Sequence, residues 1–258
     1  MPHQKLVARL QAVTGIRAED RAMLEALQYT TKSFSDGQLV VRLGDRPQTC
    51  TIVVSGFLAR QRVLDCRNHI SAFYIPGDIA NLHTLHLPVM DNDLRSVGRA
   101  TMAFIAHANL RETLSKSVTL TNAFWRETMI HGAILRQWVD NSTGRKALPR
   151  VAHLLCEIAF RLDVVDLSNE GNYHFPLSQQ DVADACGLST VHVNRVIQDL
   201  RRQDFIDWTG RTLRILRRRQ LEELAEFSAS YLEALTAGTV DVAPYQFRST
   251  RARTPGFL

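Results

Sequence analysis

Between Ser178 and Leu200 the chain reads SQQDVADACGLSTVHVNRVIQDL, and few backbone arrangements accommodate that order of residues. Ser178 suits a helix start, with Asp181 three residues on to answer it. Val182 and Cys186 fall on one face, and Ala183 is small enough for close helix contact. Gly187 stands where the chain must turn sharply, and glycine adopts the left-handed backbone needed there without steric cost. Leu188 fills the corner. Ser189 or Thr190 then caps a second helix, whose inner face is Val193, Val196, Ile197 and Leu200. This spacing predicts a helix-turn-helix and is more specific than an ordinary helical hairpin requires. Phe205–Trp208 and Thr212–Ile215 follow as two short strands around Thr209-Gly210-Arg211, a hairpin wing.

The second helix of such a motif enters the major groove of DNA with its N-terminal residues against base edges. Its outward positions are Thr190, Val191, His192, Asn194 and Arg195, and Ser178 and Ser189 set the two helix starts. Arg195 can pair with guanine, Asn194 with adenine, and the methyl groups of Thr190 and Val191 can meet a thymine methyl. Arg211, near the wing tip, is placed for phosphate. Charge agrees with this. Residues 195 to 219 hold eight arginines against three aspartates, an excess as large as the +5 of the whole chain. Arginine also suits phosphate and guanine better than lysine does.

Upstream, the texture differs. Residues 18–28 read as a short helix with Met23, Leu24 and Leu27 on one face. From about Phe34 to His107, short apolar runs (38–43, 50–54, 57–64 and 70–75) alternate with turn signals, which predicts an all-β barrel or sandwich. The continuous run 50–54 reads as buried on both faces. From Thr119 to Val139, Leu120, Phe124, Thr128, His131, Leu135 and Trp138 recur at coiled-coil spacing. They read as a dimer seam, with packing of the helix on its own barrel as the alternative. Asn141-Ser142-Thr143-Gly144 ends that helix, and 147–162 forms another, with Val151, Leu154, Leu155, Ile158 and Leu162 on one face. The expected fold is α+β: a β-barrel sensor domain over 1–118, a dimerisation helix over 119–143 and a winged helix-turn-helix over 144–237. The tail 238–258, rich in Pro, Gly, Ser, Thr and Arg, is expected to be disordered.

The order of barrel, long helix and C-terminal winged helix-turn-helix resembles the Crp/Fnr family of bacterial regulators. The resemblance covers roughly residues 16–235. It is carried by LSQQDVADACGLSTVHVNRVIQDLRRQDFID, GRKALPRVAHLLCE, VVSGFLARQRVL and FYIPGDIANLHTL, and is nearest the alphaproteobacterial branch. It implies a jelly roll of the cyclic-nucleotide-binding type and a homodimer joined through 120–139 on a near-palindromic DNA site. It allows RNA polymerase as a further partner. It also implies an effector site, with Gly77 and Asp78 as candidate ligand residues, but no identified effector. Cyclic-nucleotide binders of the family have Gly-Glu-Leu where Gly77-Asp78-Ile79 stands. Arg95-Ser96 looks like their phosphate grip, yet it lies too far from Gly77 and too near the strand end 103–105. A better register puts Asn92-Asp93 there, and an aspartate repels phosphate, so cyclic nucleotide is not expected. Many members have Glu at the position of Val191, so the target sequence should differ from theirs.

No cofactor is expected. No cysteine precedes Cys50, and Cys50, Cys66, Cys156 and Cys186 show neither the N-terminal iron–sulfur cluster of the oxygen-sensing members nor zinc-finger spacing; haem has no support either. His69, His83, His86 and His107 could suggest a metal-dependent barrel enzyme, but no Glu stands at ligand spacing. No Ser–His–Asp set or phosphate-cradling glycine loop stands out, so no catalytic residue is assigned. A nucleotide-binding module without a DNA role is disfavoured by the helix-turn-helix and its arginines. Dispersed cysteines, an N-terminus without a signal-like apolar core and no membrane-length apolar run suggest a cytoplasmic protein.

Overall fold

A computed structural model describes residues 2–235; the predicted disordered tail lies outside them, as do the last two residues of the expected DNA-binding domain. Two helices, α1 (Pro2–Thr14) and α2 (Ala18–Glu25), open the chain. The strands β1 (Thr30–Phe34), β2 (Leu39–Val41), β3 (Thr49–Leu64), β4 (Arg67–Tyr74) and β5 (Asp93–Ala106) follow. Next come α3 (His107–Lys116), the long α4 (Val118–Gly144) and α5 (Ala147–Val164). The C-terminal part holds β6 (Ser168–Asn169), β7 (Asn172–His174), α6 (Gln179–Cys186), α7 (Thr190–Arg202), β8 (Ile206–Thr209), β9 (Thr212–Ile215) and α8 (Arg218–Leu224).

The N-terminal strands do not close into a barrel. They form one five-stranded antiparallel sheet in the order β1-β5-β3-β4, with β2 also on β5. The runs 50–54 and 57–64, read as separate strands, are one strand, β3, whose register against β5 shifts on either side of Ser55. Ser55-Gly56 is thus a bulge rather than a hairpin turn, which bends the strand without ending it. Cys50 to Val53 are fully buried, as the unbroken apolar run implies. Helix α1, unread in the sequence, covers the sheet with Leu6, Val7 and Leu10, which join Cys50, Ile52, Ile105, Leu120 and Phe124 in one apolar cluster.

That cluster corrects the expected dimer seam. Leu120 and Phe124 are spent inside their own chain. Trp138 packs edge-on against Phe73, with ring centroids 5.8 Å apart, and donates its Nε1–H to Glu157. His131 lies against Tyr74 at 5.2 Å. Only Thr128 and Leu135 of the six face solvent. The helix-on-own-sheet alternative therefore holds for the inward half of the pattern. The outward face of α4 carries a different stripe: Val118, Trp125, Met129 and Val139, with Leu135 beside it, all at least half exposed.

The largest core crosses the sequence-based boundaries. Phe57, Ala59, Ile70, Phe73, Ile75 and Val97 of the sheet pack in one cluster with α5, α6, α7 and the wing. Phe57 meets Phe175 edge-on at 6.3 Å. The C-terminal unit is therefore seated on the outer face of the sheet rather than hung from a linker.

His153 on α5 sits in an aromatic box, 5.3 Å from Phe227 and 6.2 Å from Tyr231, and burial pushes its imidazole down to about 3. Burial does the same to His131. Both rings are neutral when folded and charge more readily when unfolded, so the folded state gains from them only above the ordinary imidazole range, near 6.5. Stability should therefore fall as pH drops from 6.5 toward 3. Thermal unfolding across that range should show the decline, and a His153→Phe variant should show a shallower one.

Candidate nucleic-acid interface

The helix-turn-helix is built as its sequence implies. The Ser178 Oγ accepts from the Asp181 backbone N–H at 3.1 Å, and the Asp181 carboxylate accepts from the Ser178 N–H at 2.8 Å, a reciprocal box that fixes the start of α6. Gly187 ends that helix at φ +64°, ψ +36°, in the left-handed region. Ser189, rather than Thr190, caps α7: its Oγ accepts from the His192 N–H at 3.2 Å. Val193, Val196, Ile197 and Leu200 are buried, which leaves Val191, His192, Asn194 and Arg195 exposed and Thr190 half-exposed.

Two residues that sequence reasoning passed over join this surface. The Thr190 hydroxyl donates to Gln180 Oε1 at 2.6 Å, and the Asn194 amide to Gln179 Oε1 at 3.0 Å. Gln179, Thr190, Val191, Asn194 and Arg195 line one shallow groove. The signal for Gln179 and Gln180 was their place in the first turn after the cap, where α6 faces the start of α7.

The wing forms from β8 and β9, paired from Ile206↔Ile215 to Thr209↔Thr212, with Gly210 and Arg211 as its two-residue loop. Arg211 is half exposed and lies 3.8 Å from Asp36 of the sheet. The arginine excess divides in two. Arg202 pairs with Asp199, Arg217 with Asp204 at 3.4 Å, and Arg218 with Asp163 at 2.5 Å and Glu222 at 2.9 Å. Among the described residues, Arg195, Arg214 and Arg219 have no carboxylate at ion-pair distance, so their charge is available to an outside anion.

The candidate ligand residues fare differently. Asp78 is fully buried between Arg9 and Arg161, and those two cations overcome the opposing effect of burial to hold its carboxyl below the usual range. Gly77, at φ +101°, lets α1 approach so closely that a Cβ there would stand 2.9 Å from the Lys5 carbonyl. Neither residue lines the cavity beside α4. Arg95-Ser96 is also committed elsewhere: the Ser96 hydroxyl donates to the Ser35 carbonyl, and Arg95 reaches Gln61 at 2.6 Å and Asp181 at 2.5 Å. A cavity of about 470 Å³ does lie between β4 and α4, lined in part by Arg60, Tyr74, His83, Asp91, Glu127 and His131. Asn92 lines it as well, with Asp91 beside it in place of Asp93, whose carboxylate accepts from the Leu43 N–H.

Residues 149–224 match the Crp-like helix-turn-helix domain. Over this segment, and in its fold, the chain is similar to the Crp/Fnr transcription regulators. It is 24% identical over 198 residues to the transcriptional activator protein FnrL of Cereibacter sphaeroides, covering 75% of this chain and 79% of that protein. It is 23% identical over 201 residues to the nitrogen fixation regulation protein FixK of Rhizobium meliloti, covering 74% and 85%. The structure of FixK2 from Bradyrhizobium japonicum superposes with a TM-score of 0.71 at 22% identity, over 79% of this chain and all of that one. The matched segment is a helix-turn-helix of the kind found in DNA-binding transcription regulators, with α7 as its second helix.

Arg195→Ala should cost about 1–3 kcal/mol on a matched site and relax the preference at one base pair per half-site. Arg211→Ala should weaken matched and scrambled sites alike and lower the salt slope, because phosphates carry no sequence information. Binding to both sites across a salt series separates the two signatures.

Proposed function

We propose that the chain acts as a DNA-binding transcription regulator, a homodimer on an inverted-repeat operator, with RNA polymerase as its further partner in the cytoplasm. The exposed stripe on α4 carries this reading. Val118, Trp125, Met129, Arg136 and Val139 recur at steps of seven, four, seven and three on the exposed face of the helix. Large apolar side chains at that spacing, left bare along a helix of 27 residues, suit a second copy of the same helix. Thr128 and Leu135, the exposed members of the expected seam, flank it. In a two-fold dimer the two copies of α7 would enter successive major grooves about 34 Å apart. No membrane partner is proposed; among the described residues no helix is long and apolar enough to cross a membrane.

The N-terminal sheet is read as a jelly roll of the cyclic-nucleotide-binding type that has lost its nucleotide chemistry. The cavity beside α4 suits a small effector, but Asp91 and Glu127 line it, Arg60 in its wall already donates to the Ala80 carbonyl, and Arg95-Ser96 is turned elsewhere, so a cyclic phosphate is disfavoured. No cofactor is proposed. Cys50, Cys156 and Cys186 are buried, with thiols pushed up to about 12 by desolvation, and Cys66 stands apart on the surface. Ligand atoms of Asp78, Glu127 and His131 lie within 4.8 Å of one another, but Arg9 and Arg161 already neutralise the two carboxylates that a cation would need.

Trp125→Asp or Met129→Asp should turn a dimer into a monomer, because a buried interfacial charge costs several kcal/mol. Light scattering at micromolar concentration reads this; a wild type that is monomeric there contradicts the proposal. Calorimetry with cyclic AMP and cyclic GMP should give dissociation constants weaker than about 10 micromolar, roughly −7 kcal/mol.

A further inference from the structure

The Pro76-Gly77-Asp78 turn carries a buried ionic group that DNA contact does not explain. Asp78 and Arg161 are both fully buried. The Asp78 Oδ2 accepts from the Ile75 N–H at 2.9 Å and from Arg161 Nη2 at 2.6 Å. The same Nη2 donates to the Phe73 carbonyl at 2.9 Å, and Nη1 pairs with Glu157 at 3.3 Å. Arg9 of α1 stands 3.4 Å from Oδ1 and donates its Nε–H to Glu127 of α4 at 2.9 Å. One carboxylate thus joins the sheet to α1 and, through α5, to the unit that carries the reading helix.

The surrounding contacts between sheet and C-terminal unit are mostly apolar, such as Phe57 on Phe175, with the partly buried Arg95–Asp181 pair nearer the rim. Apolar attraction is non-directional, so it resists separation of the two faces far more than sliding. A guanidinium gripped by a carboxylate and a carbonyl of one turn has a fixed angle and position. Any slide breaks it and strands a buried charge, so a continuous adjustment is costly. We propose that Asp78 and Arg161 are positioning residues for DNA reading: they fix the pose of the DNA-binding unit on the sheet, and thereby the separation of the two reading helices in the dimer. Both are too deeply buried to touch DNA themselves.

This inference rests on the homodimer and inverted-repeat reading, and the test keeps the two apart. Full-length wild type, Asp78→Asn, Arg161→Lys and the double variant Asp78→Leu/Arg161→Met are titrated against one half-site, and against inverted repeats whose half-sites are spaced one base pair closer, matched, or one base pair further. Removing both charges together strands neither on the other; Arg9 keeps Glu127, and Glu157 keeps Trp138 and Tyr231 as donors, so the double variant carries the test should a single variant fail to fold. Circular dichroism and light scattering establish fold and dimer for each. Wild type should prefer one spacing. Asp78→Asn and the double variant should lose that preference, with affinity for the matched repeat down about tenfold, the size of a typical coupling between sites, and half-site affinity unchanged. Arg161→Lys, which keeps the charge but loses the fork, should retain part of the preference. A folded, dimeric double variant as selective for spacing as a selective wild type overturns the proposal alone. A wild type indifferent to spacing overturns the dimer reading and the proposal with it.

Discussion

The ion pair between Asp78 and Arg161 is the joint on which the molecule's arrangement turns. A fully buried charge is tolerable only when its partner is in place, so this pair admits one relation between sheet and C-terminal unit. The rest of the structure conforms to it. Helix α1 crosses the turn closely enough for Arg9 to share the carboxylate, which requires glycine at position 77. Helix α4 supplies Glu127 to hold Arg9, and α5 supplies Glu157, whose carboxylate also receives Trp138 and Tyr231. Burial holds Glu157 above the usual carboxylate range despite these donors, which marks how little water reaches the joint.

The same residues close the Gly77-Asp78 turn from within. The cavity that remains lies one step outward, along α4, with Glu127 and His131 common to its wall and to the edge of the ionic group. An occupant there would sit against the helix that carries the bare apolar stripe on its other side. Cavity, stripe and joint therefore share one rigid element.

Reading of DNA is organised more locally. The capping box of Ser178 and Asp181, the left-handed Gly187 and the Ser189 cap fix α6 and α7 relative to each other within a segment of about two dozen residues. Among the described residues, two ion pairs couple this motif and its wing to the sheet: Arg95 on Asp181, partly buried, and Arg211 near Asp36, exposed and correspondingly weak. Pairing of Arg202, Arg217 and Arg218 inside the unit shows that a run of arginines is not a run of phosphate contacts; several of them hold the scaffold.

By itself the sequence determined what depends on short-range chemistry. The caps, the glycine turn, the inner face of α7, the wing and the outward set Thr190, Val191, His192, Asn194 and Arg195 all follow from spacing within a few residues, because hydrogen bonds at i to i+3 and helical periodicity are local. The family resemblance rests largely on those same residues. What the tertiary structure decided was which of two apolar stripes on α4 faces inward. Both have coiled-coil spacing, and the choice of Leu120, Phe124 and Trp138 for the core and Trp125, Met129 and Val139 for the surface depends on α1, the sheet and α5 arriving from elsewhere in the chain. It also decided that β3 continues through Ser55-Gly56 and that the sheet stays open. Asp78, a plausible ligand residue in the sequence, became a structural anion only because Arg9 and Arg161, 69 residues before it and 83 after it, converge on it. Burial of charge is a property of the assembled fold, and no pattern in neighbouring residues announces it.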